Sequence, residues 1–542
     1  MRNIRKIFSL LIFLFILLSL LSLSRAVLAQ DSEKYEQMTL SFDLRGEITT
    51  NLAHVNANLS LIPQNDLRQE IQSLTFIGNE ISHSEKNIIF DWPSASGTSP
   101  FGYRSVIATK IQIPNSNYVS FPLKSTDFNE FTLPSENIDS DSQIIIEKSK
   151  YLTSGKSDAM EAVFEIAEFV NSNLTYDESY IGAEKKASQV LQEKRGVCEE
   201  YTLLFISLAR AAGIPARYIS GLAYSNIKKA FGPHAWAEIY LPSQGWIPFD
   251  TTFGQHGFID TTHIALSKSK DKQSAVLYTY TSTSFVPKEL GLNASIIEKT
   301  KSSPKANIQL DLPEKKVMAG SYAPLQVKIK NPLSNYLPLN LYLTKAPGIY
   351  GKNEKHLLLK PLEERIVYFI LRIPEDIEEG FNYESVIALE TQFNDFATTN
   401  ISFAKNRYSF IDLEKANSFI EERSHGINIT APIIQNQISI IDFSPKVLNY
   451  GRNEVSLKIK TNYCSSLLLK INNLASNLSD ISGERELRFE LAGKYALSEK
   501  LDIQVQCFTE NQRSSDEKTF SVSLTNVPWY VKIWKFFSEL FS

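Results

Sequence analysis

Apolar and polar positions change period several times along the chain. Between residues 30 and 125 they alternate, over 39–45 and again over 55–61. Short apolar runs follow at 88–90 and 106–113, with turn residues between them. A period of two marks half-buried strands, so 30–125 predicts a β-rich domain, a small sandwich or barrel. Residues 126–156, with their Ser and Asp clusters, read as a polar connector. The period then lengthens. Over 159–172, Val163, Ala167 and Val170 form one helical stripe, with Ser157 and Asp158 as candidate N-caps and Glu161, three after Asp158, close to a capping-box position. A second helix reads through 202–212, where Leu204, Leu208 and Ala211 recur at helical steps. Gly213 closes it and Pro215 forbids its continuation. Alternation resumes at 235–241, Pro242 to Gly245 is a turn, and 246–252 reads as the returning strand of a hairpin.

Residues 295–305 read as a linker. Alternating segments then fill 307–403 and 438–524, separated by a less regular, partly helical stretch at 404–436. These predict two immunoglobulin-like β-sandwiches, at 306–404 and 437–526. The ends break the pattern. Arg2, Arg5 and Lys6 precede an apolar run over 7–21, and Val27 and Ala29 suit positions −3 and −1 of a signal-peptidase site. Residues 1–29 are therefore expected to be a signal peptide; an uncleaved N-terminal anchor is the alternative. Either way the remainder is exported, to the extracellular space, the cell surface or a membrane. At the other end, the aromatic tail 527–542 is too short to span a bilayer. On a helix Lys532, Lys535, Glu539 and Ser542 share one narrow face. From residue 528 onward it suits a helix lying in a membrane surface, the alternative being a helix docked on its own protein.

Composition adds bounds. A chain of 542 residues with 43% apolar and 21% charged residues is an ordinary multidomain globular protein. Its 56 basic and 60 acidic residues leave no basic excess of the kind a nucleic-acid partner requires. Three cysteines are present. Cys464 and Cys507 share the C-terminal β segment and are the natural disulfide pair after export, leaving Cys198 free; three reduced thiols are the alternative.

Cys198 opens the helix that runs through 202–212. Helix N-termini present unpaired N–H groups and a positive dipole end, the setting in which cysteines become nucleophiles. His234 stands at the mouth of the 235–241 strand, and Asp250 lies on the returning strand, where it can orient the imidazole. His256 and His263 follow without the cysteine cluster or ligand spacing of a zinc site, so neither metal catalysis nor a cofactor is expected. Lys268 to Lys272 reads as a solvated charge run.

The Gly-x-Cys at 196–198, the run Ala-Arg-Ala-Ala-Gly-Ile-Pro-Ala-Arg at 209–217, His-Ala-Trp-Ala-Glu at 234–238 and Trp-x-Pro-Phe-Asp at 246–250 resemble the transglutaminase-like superfamily. Leu174 to Asp177 and Ala187 to Leu191 extend the likeness, which covers roughly residues 155–266. The resemblance implies a papain-like α+β core, within a catalytic domain over 126–295, and a Cys198–His234–Asp250 triad. It also implies acyl transfer on a protein or peptide substrate through a thioester. Glu199 stands where animal transglutaminases carry an aromatic residue, which favours a cysteine protease or amidase over a cross-linking acyltransferase. The alternatives are a protein-glutamine acyltransferase and a non-catalytic surface scaffold. Tyr176 reads as a core residue, with lining of the cleft as the alternative.

Overall fold

The computed structural model describes residues 34–531 apart from 116–117, 125–126, 282–283, 289, 425–437, 472–473, 494–499, 509–512 and 529–530. The proposed signal peptide and nearly all of the aromatic tail lie outside these residues. Two compact units divide at residues 430 and 431.

The first unit begins with β1 (Tyr35–Leu59), β2 (Gln69–Ile77), β3 (Glu80–His83) and β4 (Ile88–Lys110). The two alternating stretches at 39–45 and 55–61 are one continuous strand, β1. Register shifts near Ala53 and a left-handed Leu52 bend it without ending it. Alternate side chains Leu40, Phe42 and Leu44 are buried, as the period of two requires.

Four helices follow: α1 (Gln143–Thr153), α2 (Ala159–Asn173), α3 (Ala187–Glu193) and α4 (Cys198–Ala211). The Asp158 carboxylate caps α2 by accepting the Met160 N–H at 2.9 Å. Gly213, at φ +76°, ends α4. Its neighbour Ile214 donates to Ala209 O at 3.0 Å, the six-to-one bond of a Schellman cap. Helix α1 corrects the reading of 126–156 as a connector. Its polar residues mask a short apolar edge, Ile145 and Leu152, which sinks into the helical core. There Ser149 donates its hydroxyl to Leu208 O of α4 at 2.8 Å.

A five-stranded antiparallel sheet packs on the helices. Its strands are β5 (Ala216–Ser225), β6 (Ala230–Leu241), β7 (Gly245–Asp250), β8 (Gln255–His256) and β9 (Ile264–Ser269), in the order β8–β7–β6–β5–β9. Ala237, Ile239, Leu241, Ile247 and Phe249 interlock with Phe205 and its neighbours on α4. The run 209–217 is scaffolding. Arg210 is buried and donates to Ala216 O and Leu133 O at 2.9 Å. Arg217 bonds Glu238 at 2.8 Å and lies over the Trp246 ring.

The chain then returns to the first sheet through β10 (Val276–Tyr280), β11 (Val286–Pro287) and β12 (Gly291–Lys301), all antiparallel to β1. Residues expected at the end of a catalytic domain (276–295) and in a linker (295–305) are thus strands of the N-terminal sheet. That sheet has seven strands. It is not a free-standing module over 30–125: Leu222, Ile264 and Leu266 of the core sheet belong to its apolar cluster. The pairing joins segments more than two hundred residues apart, which local periodicity does not encode.

Residues 307–404 form two facing sheets of four and five strands around one apolar core. A helix at Leu413–Ser424 packs beside this layer through Ile420 against Tyr368 and Ile370. The second unit was expected to be a like sandwich. Its described residues form one five-stranded antiparallel sheet and a two-stranded parallel pair. Cys507 there is disulfide-bonded. Cys464 lies on the strand adjacent to that of Cys507, its side chain outside the described residues.

Because Ile145 is fully buried between helices, Ile145→Ala is expected to cost about 2–5 kcal/mol of stability by leaving a cavity. Urea denaturation of the full chain measures it; an unchanged midpoint would mean that α1 is not part of the core.

Candidate active site

Three elements converge at one end of the core sheet. Helix α4 starts at Cys198 itself, so its sulfur sits at the dipole's positive end. The turn before it is held by Glu200, whose carboxylate accepts the Val197 N–H at 2.8 Å. A Cβ on Gly196 would stand 2.2 Å from the Glu200 Cβ, so this approach needs glycine. Cys198 is partly exposed and its thiol is free.

His234 is on β6 and Asp250 ends β7. The register pairs Ala237 with Phe249, which sets Asp250 diagonally beside His234 on one face. His234 Nε2 lies 2.7 Å from Asp250 Oδ2, and the Cys198 side chain is near enough to the imidazole to help raise its pKa. With Nε2 taken by the carboxylate, Nδ1 is the nitrogen left for sulfur. Phe253 stacks on the imidazole at a ring distance of 4.5 Å and an interplanar angle of 17°. The structure therefore brings together the cysteine, histidine and aspartate singled out in the sequence.

It also extends the row. Asp250 Oδ2 is 3.1 Å from His263 Nε2, and His263 Nδ1 is 3.1 Å from Asp260 Oδ1. Asp250 Oδ1 accepts the Thr252 and Phe253 N–H groups at 2.9 and 3.3 Å. Asp260 is held by Thr262 and Gln255. Arg68, at the edge of the N-terminal sheet, donates to the carbonyls of Asp260 and His263. The sequence reading weighed His263 only as a zinc ligand and passed over Asp260, because their only local signal is an Asp-x-x-His spacing, common in turns. Sequence pattern also hid Lys272: the supposedly solvated run ends at the site's rim, where Lys272 pairs with Glu199 at 2.5 Å. Tyr176 is half-exposed rather than core. Its phenol is pushed up, by burial first and by the neighbouring Cys198 second.

Electrostatics follow from the burial. Burial alone would lower the His234 pKa, but the Asp250 charge, their hydrogen bond and Cys198 outweigh it and raise it to about 10. Burial would raise the Asp250 carboxyl; His234, then His263, overcome that and hold it well below the ordinary range. The arrangement keeps a charged imidazole beside the Cys198 sulfur, which suits nucleophilic attack followed by proton donation.

A model of the transglutaminase-like superfamily matches residues 146–251, which contain all three side chains. Residues 146–251 are a transglutaminase-like domain. Within the matched segment lie α2–α4 and β5–β7; His263 and Asp260 fall beyond it. An uncharacterized Bacillus subtilis protein is 27% identical over 141 residues, 23% of this chain and 19% of the relative. A protein-glutamine gamma-glutamyltransferase of Pseudomonas aeruginosa is 32% identical over 80 residues, 13% of this chain and 12% of the relative. The chain thus matches less than a fifth of either relative's length. A solved structure of a candidate cysteine protease from Cytophaga hutchinsonii superposes with TM-score 0.40 at 18% identity. That match covers 49% of this chain and 93% of the other.

Asp250→Asn removes the charge that raises His234. Its titration, followed by NMR of the labelled imidazole, should move down by about 1–3 units. Wild-type His234 should stay protonated through neutral pH and lose its proton as pH rises towards about 10. A titration near 6.5 in both proteins would overturn the charged-pair reading.

Proposed function

We propose that this chain is an exported cysteine enzyme that cleaves amide or peptide bonds in proteins through Cys198, His234 and Asp250. The observation that carries the reading is the row of a free, partly exposed cysteine at a helix start, the neighbouring His234, and a buried Asp250 hydrogen-bonded to His234. Cys198 Sγ attacks the amide carbonyl carbon, forming a C–S bond. Its proton resides on His234 Nδ1, and His234 passes it to the departing amine nitrogen as the C–N bond breaks. The Cys198 N–H, at the first position of α4, is the candidate donor to the oxyanion. Water, deprotonated by His234, then attacks the thioester and releases the carboxylate. Asp250 keeps the ring oriented and its charge balanced throughout.

Glu199 favours hydrolysis. It follows the nucleophile and pairs with Lys272, making a charged rim where animal transglutaminases carry an aromatic side chain. A second reading, acyl transfer from protein glutamine to an amine, is supported by the 32% identity with the Pseudomonas aeruginosa protein-glutamine gamma-glutamyltransferase. The chemistry is shared up to the thioester, and the acceptor decides.

Incubating the chain and its Cys198→Ala variant with a denatured protein and a fluorescent primary amine separates the readings by mass spectrometry. New termini that depend on Cys198, lost by about a thousandfold or more in the variant, are expected. Cys198-dependent amine incorporation without cleavage would replace hydrolysis by transfer. If no product depends on Cys198 and a thiol-reactive substrate mimic leaves it unlabelled, the enzyme reading fails in favour of a scaffold.

A further inference from the structure

Away from the thiol, a second cluster of ionisable side chains lies where the core meets the 307–404 sandwich. Glu168 comes from α2, His256 from β8 and His356 from the sandwich strand Glu354–Leu359. One ligand atom from each lies within 4.8 Å of the others. Glu168 Oε2 is 2.8 Å from His356 Nδ1 and 3.6 Å from His256 Nδ1. The two imidazoles are 4.9 Å apart, centroid to centroid, and inclined at 71°.

His256 is the anomaly. Its ring is fully buried, yet neither nitrogen has a hydrogen-bond partner. A neutral imidazole carries one donor and one acceptor, and leaving a buried polar group unpaired costs about 1–3 kcal/mol. Its 3.6 Å approach to Glu168 is too long for a hydrogen bond. In a tetrahedral zinc site, bond lengths of about 2.0–2.1 Å put neighbouring ligand atoms about 3.3 Å apart. The separations of 2.8 and 3.6 Å bracket that value.

The surroundings look built for these rings. Gly254 has φ +68°, and a Cβ there would stand 2.7 Å from His356 Nε2, so only glycine lets the imidazole lie against the turn. Asn340 donates to Gly254 O at 3.0 Å and Asn171 to Thr251 O at 2.9 Å, fixing that turn from the sandwich and from α2. Ser172 holds the other Glu168 oxygen at 2.9 Å. Glu168 is about one-third exposed, which leaves an ion and its water a way in. Lys352 opposes a cation here; Glu168 and Glu354 favour one.

We propose that Glu168, His256 and His356 bind one divalent transition cation of the zinc type, which ties the sandwich to the catalytic core. Two imidazoles and one carboxylate are a borderline-soft donor set, suited to zinc, cobalt or nickel and not to magnesium or calcium. The ion pins the strand that pairs with the Asp250 end of β7, since Gln255 faces Asp250 in register. It is structural, distinct from the thiol site and independent of the proposed reaction.

The test uses the full chain carrying Cys198→Ala, so that the thiol binds no metal, after dialysis against a chelator. Zinc is measured by mass spectrometry of the metal and cobalt(II) by its ligand-field spectrum. One equivalent of zinc per chain, displacing cobalt from a four-coordinate spectrum, is expected. His256→Phe and Glu168→Gln, each first shown to unfold as cooperatively as the parent, should weaken binding by more than about 100-fold, beyond the effect of losing an outer-shell partner. Zinc should raise the parent's melting temperature and leave both variants unmoved. No stoichiometric zinc, or equal binding by parent and variants, overturns the site and leaves Glu168–His356 as an ion pair between domains.

Discussion

A carboxylate with no access to water governs the centre of this molecule. Asp250 is completely buried, and removing a lone charge from water costs several kcal/mol even after the protein relaxes. Four donors meet it: His234, His263 and the N–H groups of Thr252 and Phe253. Each in turn constrains something else. The two N–H groups fix the turn after β7. His234 is thereby oriented towards Cys198. His263 must be held from its far side by Asp260, which Gln255 and Thr262 position. The reactive end of the row is partly exposed, while the end that fixes its geometry is sealed. A site built this way keeps its orientation without freezing the sulfur that must move.

The sealing comes from outside the matched family segment. Arg68 and Gln69 at the start of β2 bond the backbone of Asp260, His263 and Ala265. Leu222, Ile264 and Leu266 lie in the apolar contact between the two sheets. The N-terminal sheet is therefore the back wall of the site. On the other side, Tyr336 of the sandwich donates to the buried Asp158 that caps α2, and Lys360 pairs with Glu161 at 3.0 Å. The sandwich so grips the helix lying against α4. These contacts tie both β layers to the helices and the sheet that position Cys198.

Elements whose signal is local were legible in the sequence. Helices α2 and α4, their caps, the β6–β7 hairpin and the burial alternation of β1 depend on periodicity and turn chemistry within some twenty residues. Cys198 and Asp250 were legible because each stands at an element's end, a helix start and a hairpin's return; His234, expected at a strand's mouth, lies inside β6, which begins at Ala230. Helix α1 was not, because an exposed helix with a narrow apolar edge has the composition of a loop.

Tertiary structure alone decided what those elements meet. The sequence by itself determined the cysteine, histidine and aspartate and the α+β core that carries them. It did not determine that residues 276–301 close the first sheet, that Asp260 and His263 continue the row, or that Glu168, His256 and His356 share a corner. Such neighbours come from segments far apart in the chain, and their proximity follows from long-range strand pairing and layer packing. Those energies depend on the whole core and leave no period in any local stretch.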